Sequence, residues 1–247
     1  MKKILFLALA VAMLFAAAYA GPPYTTDDPE VIPYGSWEFY LFYQFVNETP
    51  AATGAAPGLE INYGALPWLQ LHMIAPLSFY ADSKGVKDIG FGDVELGAKA
   101  RFLDESDIIP QAGIFPHVEV PTGDDARNLG SGKARIFIPL WLEKSWVNFS
   151  TYGGGGYWIE QANNRQNWWY LGWVLKYKIN PALKVGLELN YSTAQYKEGP
   201  PLNSANIGLE WNVTDNQNLI LSYGQSMFGD ETYTGYLGYM LTFGGLK

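Results

Sequence analysis

The chain contains no cysteine, which excludes a disulfide framework, a thiolate metal site, a thiol nucleophile and a lipid-anchored N-terminal cysteine. Histidine is scarce too: His72 and His117 are the only two, and no further ligand cluster is spaced around them to make a metal site. Beyond residue 20 no apolar run is long enough to cross a bilayer as a helix, so nothing there would arrest the chain in an inner membrane during export. Basic residues are few, 16 Lys and Arg against 24 Asp and Glu for a net charge of -8. That balance argues against nucleic acid as a partner. No motif calls for a cofactor. The run Gly153 to Gly156 lies between Tyr152 and Tyr157-Trp158 with no following helix or Lys-Ser/Thr, so it reads as a strand bend or as space beside bulky neighbours rather than a phosphate cradle.

What is present begins with Lys2 and Lys3, the apolar run Ile4 to Ala17 and the small-residue site Ala18-Tyr19-Ala20. Together these read as a secretory signal peptide, 1–20, cleaved before Gly21. Its loss takes two lysines from the net charge, moving it from -8 to -10. Residues 21–34 are too rich in Pro and Asp for a strand and are expected to form a periplasmic tail or to enter a barrel mouth. The rest, 35–247, reads as one unit.

That unit alternates. Leu183, Val185, Leu187, Leu189 and Tyr191 oppose Lys184, Gly186, Glu188, Asn190 and Ser192, and Ala205 to Val213 repeats the period of two against Asn206, Gly208, Glu210 and Asn212. Val94 to Phe102 oppose Asp93, Glu95, Gly97, Lys99 and Arg101; Leu59, Ile61 and Tyr63 oppose Glu60, Asn62 and Gly64; 36–45 and 169–178 behave alike. Less regular strands are expected at 69–80, 109–120, 134–143, 147–159, 217–226 and 232–243. Roughly twelve strands of about 9 to 13 residues suit tilted membrane strands. Pro76, Pro116 and Pro139 should cause bulges or breaks, because proline cannot donate a ladder bond.

The connections are expected in two alternating classes. Longer ones span 47–57, 81–90, 122–132, 161–165, 196–202 and 228–231; short ones span 67–68, 104–107, 144–146, 180–181 and 214–216. Short turns on the periplasmic side and longer loops outside are the habit of outer-membrane barrels, and an even strand count returns both chain ends to the periplasm. A soluble sandwich also alternates, but its turns come every roughly 8 to 12 residues. Aromatics at 16%, crowded at strand ends, suit girdles at the two membrane interfaces. A sheet in lipid must close to satisfy its backbone. The expectation is therefore an all-β, transmembrane antiparallel barrel of the Gram-negative outer membrane.

Strand parity sends Glu38, Glu60, His72, Asp93, Glu95, Lys99, Arg101, His117, Glu119, Lys176, Glu188 and Glu210 to the lumen, along with Glu143, Arg135, Lys178 and Lys184. These side chains either pair with one another and fill a narrow barrel or line a selective passage. An alternative is hydrolysis, with His117 and Glu119 as the candidate pair; Ser78 and Ser150 are present, but the sequence pairs neither with a histidine. No catalytic residue, metal ligand or cofactor is assigned.

Several stretches are also familiar: Gly21-Pro22-Pro23-Tyr24-Thr25-Thr26-Asp27-Asp28-Pro29-Glu30, Trp37-Glu38-Phe39-Tyr40, Gly92-Asp93-Val94-Glu95-Leu96-Gly97, Pro110 to Pro116, Glu119-Val120-Pro121-Thr122-Gly123-Asp124, Pro139-Leu140-Trp141 and Tyr152 to Trp158. Through them the chain resembles the outer-membrane transporter family named after the meta-cleavage pathway of phenol degradation, over nearly all of 21–247. The resemblance implies a barrel that admits small, aromatic or hydrophobic compounds and supplies no catalytic residues. Expected partners are outer-membrane lipids, a small-molecule solute and the barrel-assembly machinery, which commonly reads a terminal aromatic residue. Here Phe243 is followed by Gly244-Gly245-Leu246-Lys247. The functional expectation is a passive porin-like channel, against which stand an outer-membrane hydrolase and a structural or surface-binding barrel with acidic loops at Asp124-Asp125 and Asp230-Glu231.

Overall fold

In the computed structural model, residues 22–228 and 231–245 are described; the expected signal peptide, the residues around Asp230 and those after Gly245 lie outside them. Alternating side chains build β1 (Ser36–Glu48), β2 (Ala51–Leu66), β3 (Leu69–Asp82), β4 (Gly85–Phe91), β5 (Val94–Leu103), β6 (Gln111–Ile114), β7 (His117–Val120), β8 (Arg135–Ser145), β9 (Phe149–Ile159), β10 (Trp168–Asn180), β11 (Leu183–Ser192), β12 (Leu202–Thr214), β13 (Gln217–Phe228) and β14 (Thr232–Gly244). The one helical turn among the described residues is a 3₁₀ turn at Asp125–Arg127. All the strands join one antiparallel sheet, and it closes because β1 pairs β14 from Ser36↔Gly244 to Glu48↔Thr232. β4 and β5 form one crossing interrupted at Gly92-Asp93, and β6 and β7 another interrupted at Phe115-Pro116. The wall is therefore a closed twelve-stranded barrel.

Among the described strands an open edge stands beside β4, which pairs β3 alone. There the stretch 121–134 stands in for a strand: Arg127 donates to Asp88 at 2.7 Å and to the Ile89 carbonyl at 3.1 Å. Asp93 accepts from the Gly123 N–H, the Ser131 N–H and the Ser131 hydroxyl. The outward face is apolar along every long strand, with Leu41, Leu71, Trp169, Leu171, Trp173, Ile207 and Leu237 all exposed, as lipid contact requires.

Three expectations change. The connections expected at 47–57 and 81–90 are mostly paired strand, reduced to Thr49-Pro50 and Ser83-Lys84, because backbone pairing continues past the point where the side-chain alternation fades. Long and short connections therefore do not alternate strictly. Pro139 causes no bulge: it pairs Gly156 in continuous register. On its other side β6 pairs β8 only from Leu140 onward and β7 only up to Phe137, so its missing N–H falls where the neighbouring crossing is itself interrupted. Pro116 does mark a break, and opposite Pro76 the register of β2 shifts between Ala55 and Gly58.

Candidate functional site

The lumen does not stand empty, because residues 22–34 are folded into it. From Gly35, whose N–H reaches the Gly64 carbonyl at 2.8 Å, the segment leaves the end of the barrel with the short turns and runs inward. The Ile32 N–H donates to Gln70 at 3.1 Å. Lys99 Nζ donates to Asp27 Oδ1 at 2.8 Å and stands 3.8 Å from Asp28 Oδ1. Thr26 gives both its N–H (2.6 Å) and its hydroxyl (2.7 Å) to Glu188 Oε1, which also accepts from Tyr170. Ser222 donates to the Pro23 carbonyl at 2.8 Å.

The wall is carved to receive this segment. A side chain at Gly172 would run into Thr26, and one at Gly186 or Gly208 would run into the Tyr24 ring or hydroxyl. All three glycines occupy inward positions on β10, β11 and β12, so their lack of a side chain is spent on contact with the segment rather than on backbone freedom. Asp28 is fully buried, one of its oxygens accepts the Glu30 N–H and the other, Oδ2, has no partner. Burial pushes Asp28 up to about 6 and Glu30 up to about 7.

The inward charges mostly pair with each other. His72 bonds Asn62 (2.7 Å) and Glu95 (3.0 Å) and lies 3.7 Å from Glu60, while His117 lies 3.8 Å from the other Glu95 oxygen. Lys176 bonds Glu210 at 3.0 Å, with Lys184 at 3.5 Å from the second oxygen. Arg135 joins Glu119 and Glu160, each at 2.8 Å. Glu38 accepts from Tyr40, Glu188 also accepts from Asn206, and Arg101 pairs Asp104 at 3.0 Å. Asp93 stands apart, anchoring the 121–134 stretch. The structure thus gathers Glu60, His72, Glu95 and His117 into one cluster and sets Lys176 with Glu210. His117 and Glu119 are not brought together as a pair, since Glu119 is committed to Arg135.

The lumen also carries an aromatic lining. Trp158 stacks on Trp168 (5.4 Å between centroids) and on Phe137 (4.8 Å); Phe137 meets His117 (5.3 Å), His117 meets Phe115 (5.2 Å), and Phe115 meets His72 (5.0 Å). Arg135 lies over Trp158 and Lys99 over Phe115. A continuous track of rings therefore runs from Glu160 and Trp168, which share a 3.1 Å hydrogen bond, down to Lys99. Beside it lies a cavity of about 790 Å³ that reaches Glu48 and Leu202 at the outer rim and touches Asp27 and Lys99 at its inner end. The available signal for these rings is their position: Tyr152, Trp158, Trp168 and Tyr170 share parity with inward polar residues.

Residues 21–243 match the family described as the MetA-pathway of phenol degradation. The chain belongs to this family. Among solved structures it is similar to the COG4313 outer membrane channel from Pseudomonas putida F1, at 15% identity, with 87% of this chain and 98% of that chain covered and a TM-score of 0.69. It is also similar to the NanC porin (10% identity, 82% and 98% covered, TM-score 0.58) and the KdgM porin (11% identity, 83% and 99% covered, TM-score 0.57). No curated protein sequence matches the chain. At such identities the likeness speaks for the fold, a closed barrel of the outer membrane.

Proposed function

We propose that the protein is an outer-membrane channel for the passive passage of small molecules, aromatic or hydrophobic ones among them, and that residues 22–34 close it from the periplasmic side. The observation that carries this reading is the ring-lined cavity that opens at the outer rim and ends on a segment belonging to no strand. Flat apolar faces would slide along Trp168, Trp158, Phe137 and Phe115, each exchanging one ring contact for the next. Paired charges beside the rings keep the lumen wet without trapping a neutral solute. Lipids would contact the apolar outer face, and the assembly machinery would read Phe243 on β14.

Removing residues 22–34 from the mature protein tests it. In liposomes swelling in arabinose, the shortened barrel is expected to swell several-fold faster than the full chain. Equal rates for both would show that the segment does not close the path, and silence of both would discard the channel.

A further inference from the structure

Lys99 is one of two buried wall lysines, and the two are treated differently. Lys176 pairs with Glu210, a residue of the wall. Lys99, with its side chain 3% exposed, takes its ion-pair partners Asp27 and Asp28 wholly from the N-terminal segment among the described residues. A buried ammonium without a paired counter-charge costs several kcal/mol, so when the segment leaves, Lys99 keeps only the more distant, unpaired charge of Glu38 on the wall and must acquire another anion or draw in water. Its surroundings are already shaped for one. Lys99 and Asp27 border the cavity, and the Phe115 ring lies 5.2 Å from Nζ as the inner part of the aromatic track.

We propose that Lys99 is the receptor for the carboxylate of a solute with a planar apolar body, and that Asp27 of the segment is a tethered competitor for the same site. The solute travels along the rings, places its carboxylate on Lys99 and its body against Phe115, and so releases Asp27 and with it the segment. The exchange sets the solute's carboxylate in the place of Asp27, the nearer partner at 2.8 Å, while Asp28, at 3.8 Å, leaves with the segment and is not replaced. Release also frees Asp28, whose Oδ2 is buried without a partner, a cost of docking that favours departure. Glu38, Glu60 and Glu95 stand on β1, β2 and β5 around the inner lumen without pairing to Lys99, and they repel a second negative charge. The site therefore suits monocarboxylates.

The inference rests on the lumen being a solute pathway, but its test reads segment docking and not transport. Val31 is 6% exposed within the docked segment, and the chain has no native cysteine, so Val31→Cys gives a single thiol that maleimide reaches only on undocking. In detergent, benzoate is expected to speed labelling about tenfold, the effect of losing one hydrogen bond to a charged group, while benzamide, the uncharged analogue, and acetate, the charge without the ring, leave it unchanged. Lys99→Met should label fast from the start and ignore benzoate. Asp27→Asn, which lies outside the barrel wall and leaves its folding intact, should raise the basal rate; heat-modifiable mobility on gels confirms that each variant is folded. Benzamide acting as well as benzoate, or Lys99→Met still responding to benzoate, overturns the proposal; acetate acting as well as benzoate overturns the planar body. A shortened barrel that stays silent in swelling while labelling still responds would discard transport and leave the carboxylate site standing.

Discussion

Glu188 shows how much one side chain does in this lumen. It is fully buried and accepts from Thr26 twice, from Tyr170 and from Asn206. Only a carboxylate can accept from all of these donors, because an amide would turn an N–H toward one of them. Glu188→Gln is therefore expected to weaken docking of the segment by about 1–3 kcal/mol, read as faster labelling at Val31→Cys with the folded mobility of the barrel unchanged. Residues of this kind were readable from parity: Glu60, Lys176, Glu188 and Glu210 all point inward as their spacing implies. Their partners were not. Nothing in sequence distance links Thr26 to Glu188 or Asp27 to Lys99, and parity cannot say that Glu119 chooses Arg135 over His117.

At the scale of elements, alternation located the strands but misjudged their ends. β1 and β2 continue into a two-residue connection at Thr49-Pro50 because hydrogen-bonded pairing needs no apolar face once a hairpin stands clear of lipid. The inward aromatics were harder to read for a related reason: alternation by itself assigns apolar side chains to lipid, and only shared parity with Arg135, Glu143 and Ser150 marks Phe137, Trp141 and Trp158 as inward, while Phe115 sits in the break between β6 and β7. The glycines were the clue to the segment. Gly172, Gly186 and Gly208 fall at inward positions on three neighbouring strands and form a groove. Gly172→Val keeps a good strand former in β10 but puts a side chain where Thr26 sits. It should undock the segment and raise single-channel conductance in planar bilayers several-fold; conductance equal to the unsubstituted barrel would mean that the groove is not needed for closure.

The whole molecule is a wall whose inward acids outnumber its inward bases. Glu38, Glu60, Glu95, Glu119, Glu143, Glu188 and Glu210 face Lys99, Arg101, Arg135, Lys176, Lys178 and Lys184. Removing 22–34 takes Asp27, Asp28 and Glu30 away but leaves that excess in place. The shortened barrel is expected to favour cations, with a reversal potential in a KCl gradient of the sign set by potassium; a chloride-set sign would show that the wall acids do not govern the open path.

The join between the segment and β1 at Gly35 has one more effect. A closing element that cannot diffuse away keeps an effective concentration of the order of millimolar inside the lumen, whatever the amount of protein in the membrane. Any solute that competes with it must match that local concentration on its own affinity. The barrel would therefore have a threshold, staying shut at traces of solute, yielding when the outside is rich in it, and closing again without a partner once the supply falls.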